Sequence, residues 1–209
     1  MILFFILAVF SYFVGSIPFG LVVTKLFTEK DIREIGSGNI GATNVLRSSN
    51  KKLGISTLFL DIIKGAIPTF IALQIMPDHA IIIACLALVG HIYPIWLNFK
   101  GGKGVATYLG IISVFNVFFL ISFSIVWALV FLKWKYSSLA SIVSVFTVSL
   151  LMISLEFLDK QINLIVVFSN DLSNSLIKNL IFILFMFVIL IYRHRENIKR
   201  LLNNEENKI

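Results

Sequence analysis

Cysteine and charge are scarce in this sequence, and each scarcity excludes a class of protein. Among 209 residues there is one cysteine, Cys85, so no disulfide can form within the chain. Charged residues make up 14% of the chain and hydrophobic residues 58%, which is outside the range of ordinary soluble domains. The mean hydropathy of +0.94 therefore predicts a membrane protein with several spans. No strand-like alternation of polar and apolar residues is present, so these spans are predicted to be helices.

Several catalytic patterns are missing as well. There is no Gly-x-Ser-x-Gly sequence, and the one cysteine lies within an apolar run, so a covalent acyl-enzyme is not expected. The His, Cys, Asp and Glu residues lack metal-ligand spacing, and we therefore expect neither a metal nor another cofactor. Although the net charge is +7, most basic residues flank apolar segments, so nucleic acid is not an expected partner.

The apolar segments predict an all-α integral membrane protein with seven transmembrane helices in a single domain of residues 1–209. The run 105–132 contains 28 uncharged residues, too many for one ordinary span, and we interpret it as two short helices that meet near Asn116. We expect the first span to be retained rather than cleaved and to be broken near its end by glycine and proline at 15–20. Outside the run 105–132, the five predicted spans are residues 1–24, 53–76, 79–97, 138–157 and 176–192.

Lysine and arginine set the orientation of these spans. With seven spans, 15 of the 18 lysine and arginine residues fall on one side of the membrane, and the side rich in them is cytoplasmic. A single span at 105–132 would divide them almost evenly. We therefore predict an N-terminus outside, a cytoplasmic C-terminus and a polar external loop at residues 158–175.

A glycine-rich sequence between two apolar runs is the most informative stretch of the chain. Glycine allows successive backbone N–H groups to turn toward one point, and such a nest beside lysines suits a phosphate. This is not a Walker A loop, because Gly104 stands where that motif has a hydroxyl residue after the lysine. The alternative is a tight turn that is basic only because it faces the cytoplasm. The stretch reads Asn98-Phe99-Lys100-Gly101-Gly102-Lys103-Gly104.

Three further polar clusters are predicted at the same membrane surface: residues 36–47, 136–141 and 193–197. Two glycine-rich loops with cations nearby suggest a pocket that holds two anionic groups side by side, and phosphate is the obvious candidate. In a helical continuation of the last span, His194 and Asn197 share a face and could reach one ligand. The alternative for His194 is an interfacial histidine among basic residues that set topology.

Three polar residues lie deeper in the predicted spans. His91 either pins the glycine-rich loop through its side chain or packs as part of the core. Asp61 and Lys64 lie three residues apart inside the second span, where an unpaired charge costs about 2.5–3.5 kcal/mol, so we expect them to neutralise each other. The pair is either structural or supports the site from behind.

Three motifs in this order are specific enough to indicate a family. Residues 36–47 read GSGNIGATNVLR, His91-x-x-Pro94 leads into FKGGKGVA at 99–106, and residues 193–201 read RHRENIKRL. Together with GSIPFG at 15–20 and LDIIKG at 60–65, they closely resemble the bacterial acyl-phosphate:glycerol-3-phosphate acyltransferases, the PlsY family. The resemblance spans nearly the whole chain except residues 158–175.

The resemblance implies transfer of a fatty acyl group from acyl phosphate to the sn-1 hydroxyl of glycerol 3-phosphate, which gives lysophosphatidic acid and phosphate. It assigns candidate catalytic roles to Ser37, Lys103, His194 and Asn197. The general base is either His194 or a phosphate oxygen of the donor. Residues expected to bind substrate are Gly38, Asn39, Arg47, His91, Gly101, Gly102, Gly104, Ser138 and Ser141. Ser37 and the two later serines have an alternative as helix caps.

The expected partners are glycerol 3-phosphate, a long-chain acyl phosphate and the lipid bilayer. A monomer is the simplest expectation, and the sequence leaves the oligomeric state open. The predicted location is the bacterial inner membrane, with the active site at the cytoplasmic face. A competing hypothesis is a transporter or flippase for an organic phosphate, because broken helices also build transport sites. Those sites usually lie near mid-membrane between repeated halves, and no repeat is apparent here. A noncatalytic membrane scaffold is a third possibility.

Overall fold

The described part of the chain is helical. The computed structural model describes residues 1–28, 30–162 and 176–208, and no strand is found among them. Short 3₁₀ turns at Ile32–Glu34, Pro77–His79 and Ile95–Leu97 join some of the helices. The α-helices are α1 (Ile2–Ser16), α2 (Phe19–Thr28), α3 (Ala42–Ser48), α4 (Lys51–Ile75), α5 (Ala80–Ile92), α6 (Val105–Phe115), α7 (Val117–Trp134), α8 (Ser137–Ile162), α9 (Leu176–Arg193) and α10 (Arg195–Leu202).

Among the described residues, five segments are long and apolar enough to cross a membrane. They are Lys51–Ile75, Pro77–Leu97, Val117–Trp134, Ser137–Leu158 and Leu176–Arg193, and α1 with α2 makes a sixth if this bent pair counts as one span. The helix α6 has 11 residues and so extends about 16 Å, roughly half the thickness of the hydrocarbon core. The count of seven spans therefore stays a prediction. Most of the predicted external loop, residues 163–175, lies outside the described residues.

Two breaks predicted from the sequence are confirmed. The first apolar segment bends by 42° between α1 and α2, where Pro18 lacks the N–H group that a continuous helix needs. The run 105–132 divides at Asn116, whose side-chain oxygen accepts a hydrogen bond from the N–H of Phe118 at 2.9 Å and so caps α7. Asparagine is among the best residues for this position, and the break is therefore local chemistry.

The predicted continuation of the last span is wrong in one respect. The helix α9 ends at Arg193, and His194 adopts φ −96° and ψ 3° as the N-cap of α10. The chain thus turns at His194, which precedes the first residue of α10. His194 and Asn197 consequently lie at the N-cap and third positions of a new helix, and the expectation that both reach one ligand stays a prediction.

The chain divides into two compact units, Met1–Ile111 and Ile112–Ile209. In the first unit, the backbones of α1 and α5 are in close contact, because glycines lie on both helices where they cross. A Cβ atom on Gly15 would collide with the backbone of Ala87, and one on Gly90 would collide with the carbonyl oxygen of Tyr12. The hydroxyl of Ser11 also donates to the carbonyl oxygen of Ile83 at 2.6 Å. Small residues at a helix crossing are a common solution in membranes, where close packing replaces the hydrophobic effect.

A hydrophobic cluster in the same unit includes residues of the loop 36–47. Leu97, which directly precedes the glycine-rich stretch 98–104, packs against this cluster. The two glycine-rich loops of the first unit therefore share one apolar support. The buried members of the cluster are Leu21, Val23, Ile32, Ile40, Val45 and Leu53.

The second unit contains α7 to α10. The rings of Phe115 and Phe182 meet edge to face, with centroids 5.4 Å apart. The amide nitrogen of Asn179 on α9 donates to the buried carboxylate of Glu156 on α8 at 2.6 Å. Such a bond between spans satisfies a polar pair that hydrocarbon would not solvate. The prediction of a single membrane domain stays a prediction.

The crossing of α1 and α5 generates a stability prediction. Gly90→Val should lower the free energy of unfolding by about 1–3 kcal/mol, since the added side chain must push apart two backbones. Thermal unfolding in detergent measures this as a lower midpoint temperature. Ile82→Val on the exposed side of α5 is the control and should leave the midpoint nearly unchanged. Equal midpoints for both variants would contradict the close backbone packing.

Candidate functional site

The glycine-rich stretch 98–104 is fastened to the end of α5. The N–H of Gly101 donates to the carbonyl oxygen of Ile92 at 3.1 Å, and the N–H of Gly102 donates to that of His91 at 3.2 Å. These carbonyl groups belong to the last turn of α5, which has no partner for them within the helix. The loop therefore caps α5. The assignment of both glycines to a phosphate stays a prediction.

The loop approaches α5 closely because two of its residues lack side chains. A Cβ atom on Gly101 would collide with the carbonyl oxygen of His91, and one on Gly102 would collide with Nε2 of the same histidine. The ring of His91 thus lies directly against the loop backbone. His91 is buried and holds the loop through its backbone carbonyl, while the choice between a side-chain hydrogen bond and simple packing of its ring stays open.

Strained backbone precedes the loop glycines. Asn98 and Phe99 have φ values of 48° and 62°, in the left-handed region that a residue with a Cβ rarely adopts. The N–H of Phe99 donates to the carbonyl oxygen of Pro94 at 3.0 Å, which helps to hold this conformation. Such strain is typical of functional sites. Within the loop, Lys100 is exposed, and Lys103, between Gly102 and Gly104, is half-buried.

The second glycine-rich loop, residues 36–47, is organised by one buried amide. The side-chain nitrogen of Asn44 donates to the carbonyl oxygens of Ile32, Ile35 and Asn39 at 3.1, 2.9 and 2.9 Å. Its side-chain oxygen accepts from the N–H of Ser37 at 2.9 Å. Four hydrogen bonds of one side chain thereby connect the loop and the segment before it to α3. Asn44 was not among the residues chosen from the sequence, although a polar amide in the first turn of a short helix after a glycine loop is a usable signal.

The predicted site residues of this loop have different surroundings. Ser37 and Gly38 are exposed, and Asn39 accepts a hydrogen bond from the N–H of Gly41 at 2.9 Å. Arg47 lies half-buried on α3. The alternative of Ser37 as a helix cap does not apply, because Gly41 occupies the N-cap position of α3.

An ion pair between Asp31 and Arg33 lies just before this loop in the sequence. The guanidinium of Arg33 bonds both carboxylate oxygens of Asp31, and these bonds lower the pKa of Asp31 to about 2. Asp31 is therefore charged at neutral pH. Its oxygen also accepts from the N–H of Arg33 at 3.0 Å and caps the turn at Ile32–Glu34.

In the second unit, the tautomer of His194 follows from its hydrogen bond. Nδ1 lies 2.8 Å from the carbonyl oxygen of Leu190. A carbonyl can only accept, so Nδ1 carries the proton, and in the neutral ring Nε2 is the basic nitrogen. His194 is buried. This arrangement suits a general base.

The amide of Asn197 is oriented in a comparable way. Its nitrogen donates to Oε1 of Glu206 at 3.0 Å, while Arg200 donates to Oε2 of the same carboxylate at 2.9 Å. Because a carboxylate only accepts, the nitrogen of Asn197 must face Glu206 and its oxygen must face away. Asn197 thus directs its side-chain oxygen, a hydrogen-bond acceptor, away from Glu206. Glu206 was not chosen from the sequence, since a single acid six residues beyond Arg200 matches no helical spacing.

Ser138 and Ser141 lie in the first turns of α8 and are buried. The hydroxyl of Ser141 donates to the carbonyl oxygen of Ser137 at 2.9 Å and accepts from Nε1 of Trp127 at 3.2 Å. That of Ser138 has no hydrogen-bond partner among the described residues. Lys208, near the end of the chain, places its ammonium 5.5 Å from the ring centroid of Tyr136. The start of α8 and the C-terminal segment are therefore neighbours.

The structure brings the four predicted polar clusters together in pairs. The loops 36–47 and 98–104 share an apolar support in the first unit, and in the second α10, which carries Asn197, packs against α8, which carries Ser138 and Ser141. The predicted pairing of Asp61 with Lys64 is confirmed, with 2.8 Å between Oδ1 and Nζ. The placement of all four clusters around one pocket stays a prediction.

Comparisons with known proteins agree with this arrangement of motifs. The family model described as glycerol-3-phosphate acyltransferase matches residues 5–204. A glycerol-3-phosphate acyltransferase of Pelagibacter ubique is 49% identical over 203 residues, covering 97% of this chain and 96% of the relative. One of Brucella anthropi is 43% identical over 203 residues, covering 96% and 90%.

Solved structures are similar along the same length. The glycerol 3-phosphate form of PlsY (YgiH), an integral membrane glycerol 3-phosphate acyltransferase, is 35% identical, with a TM-score of 0.84 and coverage of 99% of this chain and 95% of that one. Its lysophosphatidic acid form is 34% identical with a TM-score of 0.81. With a family model and relatives matched over nearly its whole length, this chain belongs to the glycerol-3-phosphate acyltransferase family.

Proposed function

We propose that this protein transfers a fatty acyl group from acyl phosphate to the sn-1 hydroxyl of glycerol 3-phosphate and releases lysophosphatidic acid and inorganic phosphate. The observation that carries this proposal is the loop 98–104. Its backbone is fastened to α5, so that Lys103 is held between two glycines at a fixed place. A cation held at a fixed place suits a phosphate-bearing substrate. Family membership supplies the reaction class.

Glycerol 3-phosphate is assigned to the cations and hydroxyls of the predicted site. Arg47 and Lys103 pair with its phosphate, and a planar guanidinium can do so through two parallel hydrogen bonds. Ser37 contributes a hydroxyl, and Ser138 or Ser141 assists. Ser138 is the better candidate of the two, because the hydroxyl of Ser141 is already engaged by Ser137 and Trp127.

The acyl donor is assigned to the glycine-rich loops. Gly101, Gly102 and Gly104 allow its phosphate to approach the backbone closely, and His91 supports them from behind. Gly38 and Asn39 in the other loop are further candidates for substrate contacts. The acyl tail lies among the apolar helices, which explains why a membrane protein performs this reaction.

The chemistry requires orientation more than a protein nucleophile. The sn-1 oxygen attacks the acyl carbonyl carbon, a carbon–oxygen bond forms, and the bond between that carbon and the phosphate oxygen breaks as phosphate leaves with its electron pair. The hydroxyl proton passes either to Nε2 of His194 or to a phosphate oxygen of the donor. Orientation and donors aimed at the developing negative charge supply most of the acceleration, and a general base adds about 100- to 10,000-fold. The acceptor oxygen of Asn197 suits the attacking hydroxyl.

The protein is assigned to the bacterial inner membrane with seven spans, an outer N-terminus and a cytoplasmic C-terminus. The division of lysine and arginine supports this orientation. The short helix α6 counts as a span only if flanking residues extend it or the bilayer thins locally. The substrates of the reaction are cytoplasmic under this assignment, and a monomer suffices for it.

The donor preference tests the proposed reaction. Purified protein in detergent, with a chelator and no added metal, should form lysophosphatidic acid from palmitoyl phosphate and glycerol 3-phosphate. Palmitoyl-coenzyme A should give no product above background. Mass spectrometry of the lipid product measures both. Activity with the thioester alone defeats the proposal, and absence of product with either donor favours a transporter, since transport has no meaning in detergent.

Lys103 and Lys100 form a matched pair within one loop. Lys103→Ala should lower kcat/KM by about 100-fold or more, as expected for the loss of one charged donor at a reacting centre. Lys100→Ala, at an exposed position, should stay within about twofold of the parent. Both variants should keep the thermal midpoint. Equal effects of the two substitutions would mean that the lysines act only through overall charge.

The orientation is testable by cysteine labelling in a Cys85→Ala background. Lys52→Cys, Lys100→Cys and Lys199→Cys, all at exposed positions, should react with a membrane-impermeant maleimide only in inside-out vesicles. Asp78→Cys, also exposed, should react only from the outside. Labelling of Lys52→Cys and Lys100→Cys from opposite sides would end the assignment of both loops to one surface.

A further inference from the structure

We propose that Asp61 and Lys64 are positioning residues for the glycine-rich loop 98–104, acting through His91, and that they set the affinity for the acyl phosphate donor. This inference rests on the function proposed above, in which that loop holds the donor phosphate. It goes beyond a structural ion pair, because it gives each charge a separate partner outside the pair. The three side chains Lys64, Asp61 and His91 are called here the buried polar network.

The three side chains of the network are almost completely buried. The exposed fractions of Lys64, Asp61 and His91 are 1%, 2% and 3%. Charged side chains are rarely buried this completely within a span and usually mark a functional element when they are. If neutralisation were the only need, two apolar residues would meet it at no electrostatic cost. A reason for keeping the charges must therefore be sought in their other contacts.

Lys64 connects the network to the break between α1 and α2. Its Nζ donates to the carbonyl oxygen of Ile17 at 2.6 Å, across 47 positions of sequence, and lies 2.8 Å from Oδ1 of Asp61. Ile17 stands just before Pro18, where the helix is interrupted, and its carbonyl oxygen also accepts from the N–H of Phe19 at 3.1 Å. The ammonium also lies 5.6 Å from the ring centroid of Phe19. Lys64 is thus placed by three contacts, one on α4, one on α2 and one at the break between α1 and α2.

Asp61 connects the network to the loop. Its Oδ1 lies 3.8 Å from Nδ1 of His91, too far for a hydrogen bond but close enough for the carboxylate to favour one orientation of the ring. The opposite ring nitrogen, Nε2, lies where a Cβ atom of Gly102 would be. The backbone carbonyl of the same histidine accepts the N–H of Gly102 at 3.2 Å. A rotation or shift of His91 is therefore passed directly to the loop.

The contacts form one continuous path from Ile17 through Lys64, Asp61 and His91 to Gly102. Its steps are the hydrogen bond to Ile17, the ion pair of Lys64 with Asp61, the approach of Asp61 to His91 and the hydrogen bond from Gly102, all within the first unit. Gly102 is one of the residues assigned to the donor phosphate, so a displaced loop displaces the donor site. Misplacement of a substrate-holding group by about 1 Å can cost up to 100-fold. The donor should be affected more than glycerol 3-phosphate, because the latter is also held by Ser37 and Arg47 outside the loop.

Two double variants of the full-length protein test the proposal. Asp61→Leu with Lys64→Met removes the network without leaving an unpaired buried charge. Asp61→Lys with Lys64→Asp restores an ion pair in reverse order, which satisfies a purely structural need but cannot donate to Ile17 or face His91 as before. Thr69→Val is the matched control, a buried substitution on α4 that removes only the bond to the carbonyl oxygen of Gly65.

The expected result is a split between the two substrates. Both double variants should keep the thermal midpoint within a few degrees and raise KM for palmitoyl phosphate by about 10-fold or more, with KM for glycerol 3-phosphate within about threefold. The control should match the parent in both constants.

Three results would overturn the proposal: parental kinetics in the reversed pair, equal rises of both KM values, or loss of folded protein in both double variants. The last assigns the pair to the fold alone. The unsubstituted protein is assayed alongside. If it forms no product from acyl phosphate, the proposed function fails, whereas a failure confined to the variants concerns only the network.

Discussion

The carbonyl groups at the end of α5 need hydrogen-bond donors, and much of the site depends on how that need is met. A helix end inside or near a bilayer has little water to replace a missing partner. Gly101 and Gly102 donate their N–H groups to these carbonyls, so the loop that carries Lys103 is also the cap of a membrane helix. Structural and functional requirements fall on the same residues. A loop held in this way is fixed before any substrate arrives, which lowers the ordering cost of binding.

Buried polar side chains repeat the same principle in both units. Asn44 ties the loop 36–47 together through its amide, and Glu206 orients the amide of Asn197. In each case a group that can only accept or only donate decides which way its partner faces. The Asp61–Lys64 pair follows the same rule with charges, since its ammonium can only donate and its carboxylate can only accept. The site is thus oriented by groups that need never touch substrate.

Local chemistry accounts for what could be read from the sequence in advance. The helix breaks at Pro18 and Asn116 follow from a missing N–H and from a capping amide, and both effects act within a few residues. The pairing of Asp61 and Lys64 follows from helical spacing and the cost of unpaired charge. The direction of the Gly101 and Gly102 amides could not be read in this way, because their acceptors lie on α5 and depend on how the chain returns to it.

The sequence by itself determined the helical membrane character, the positions of most helices and the family, since composition, apolar run length and long motifs are properties of the chain alone. Tertiary structure decided which donors face which acceptors. It turned the chain at His194, placed Asn44 at the centre of one loop and brought Glu206 to Asn197. These outcomes depend on contacts between residues that no local spacing relates, and only folding brings such residues within hydrogen-bond distance.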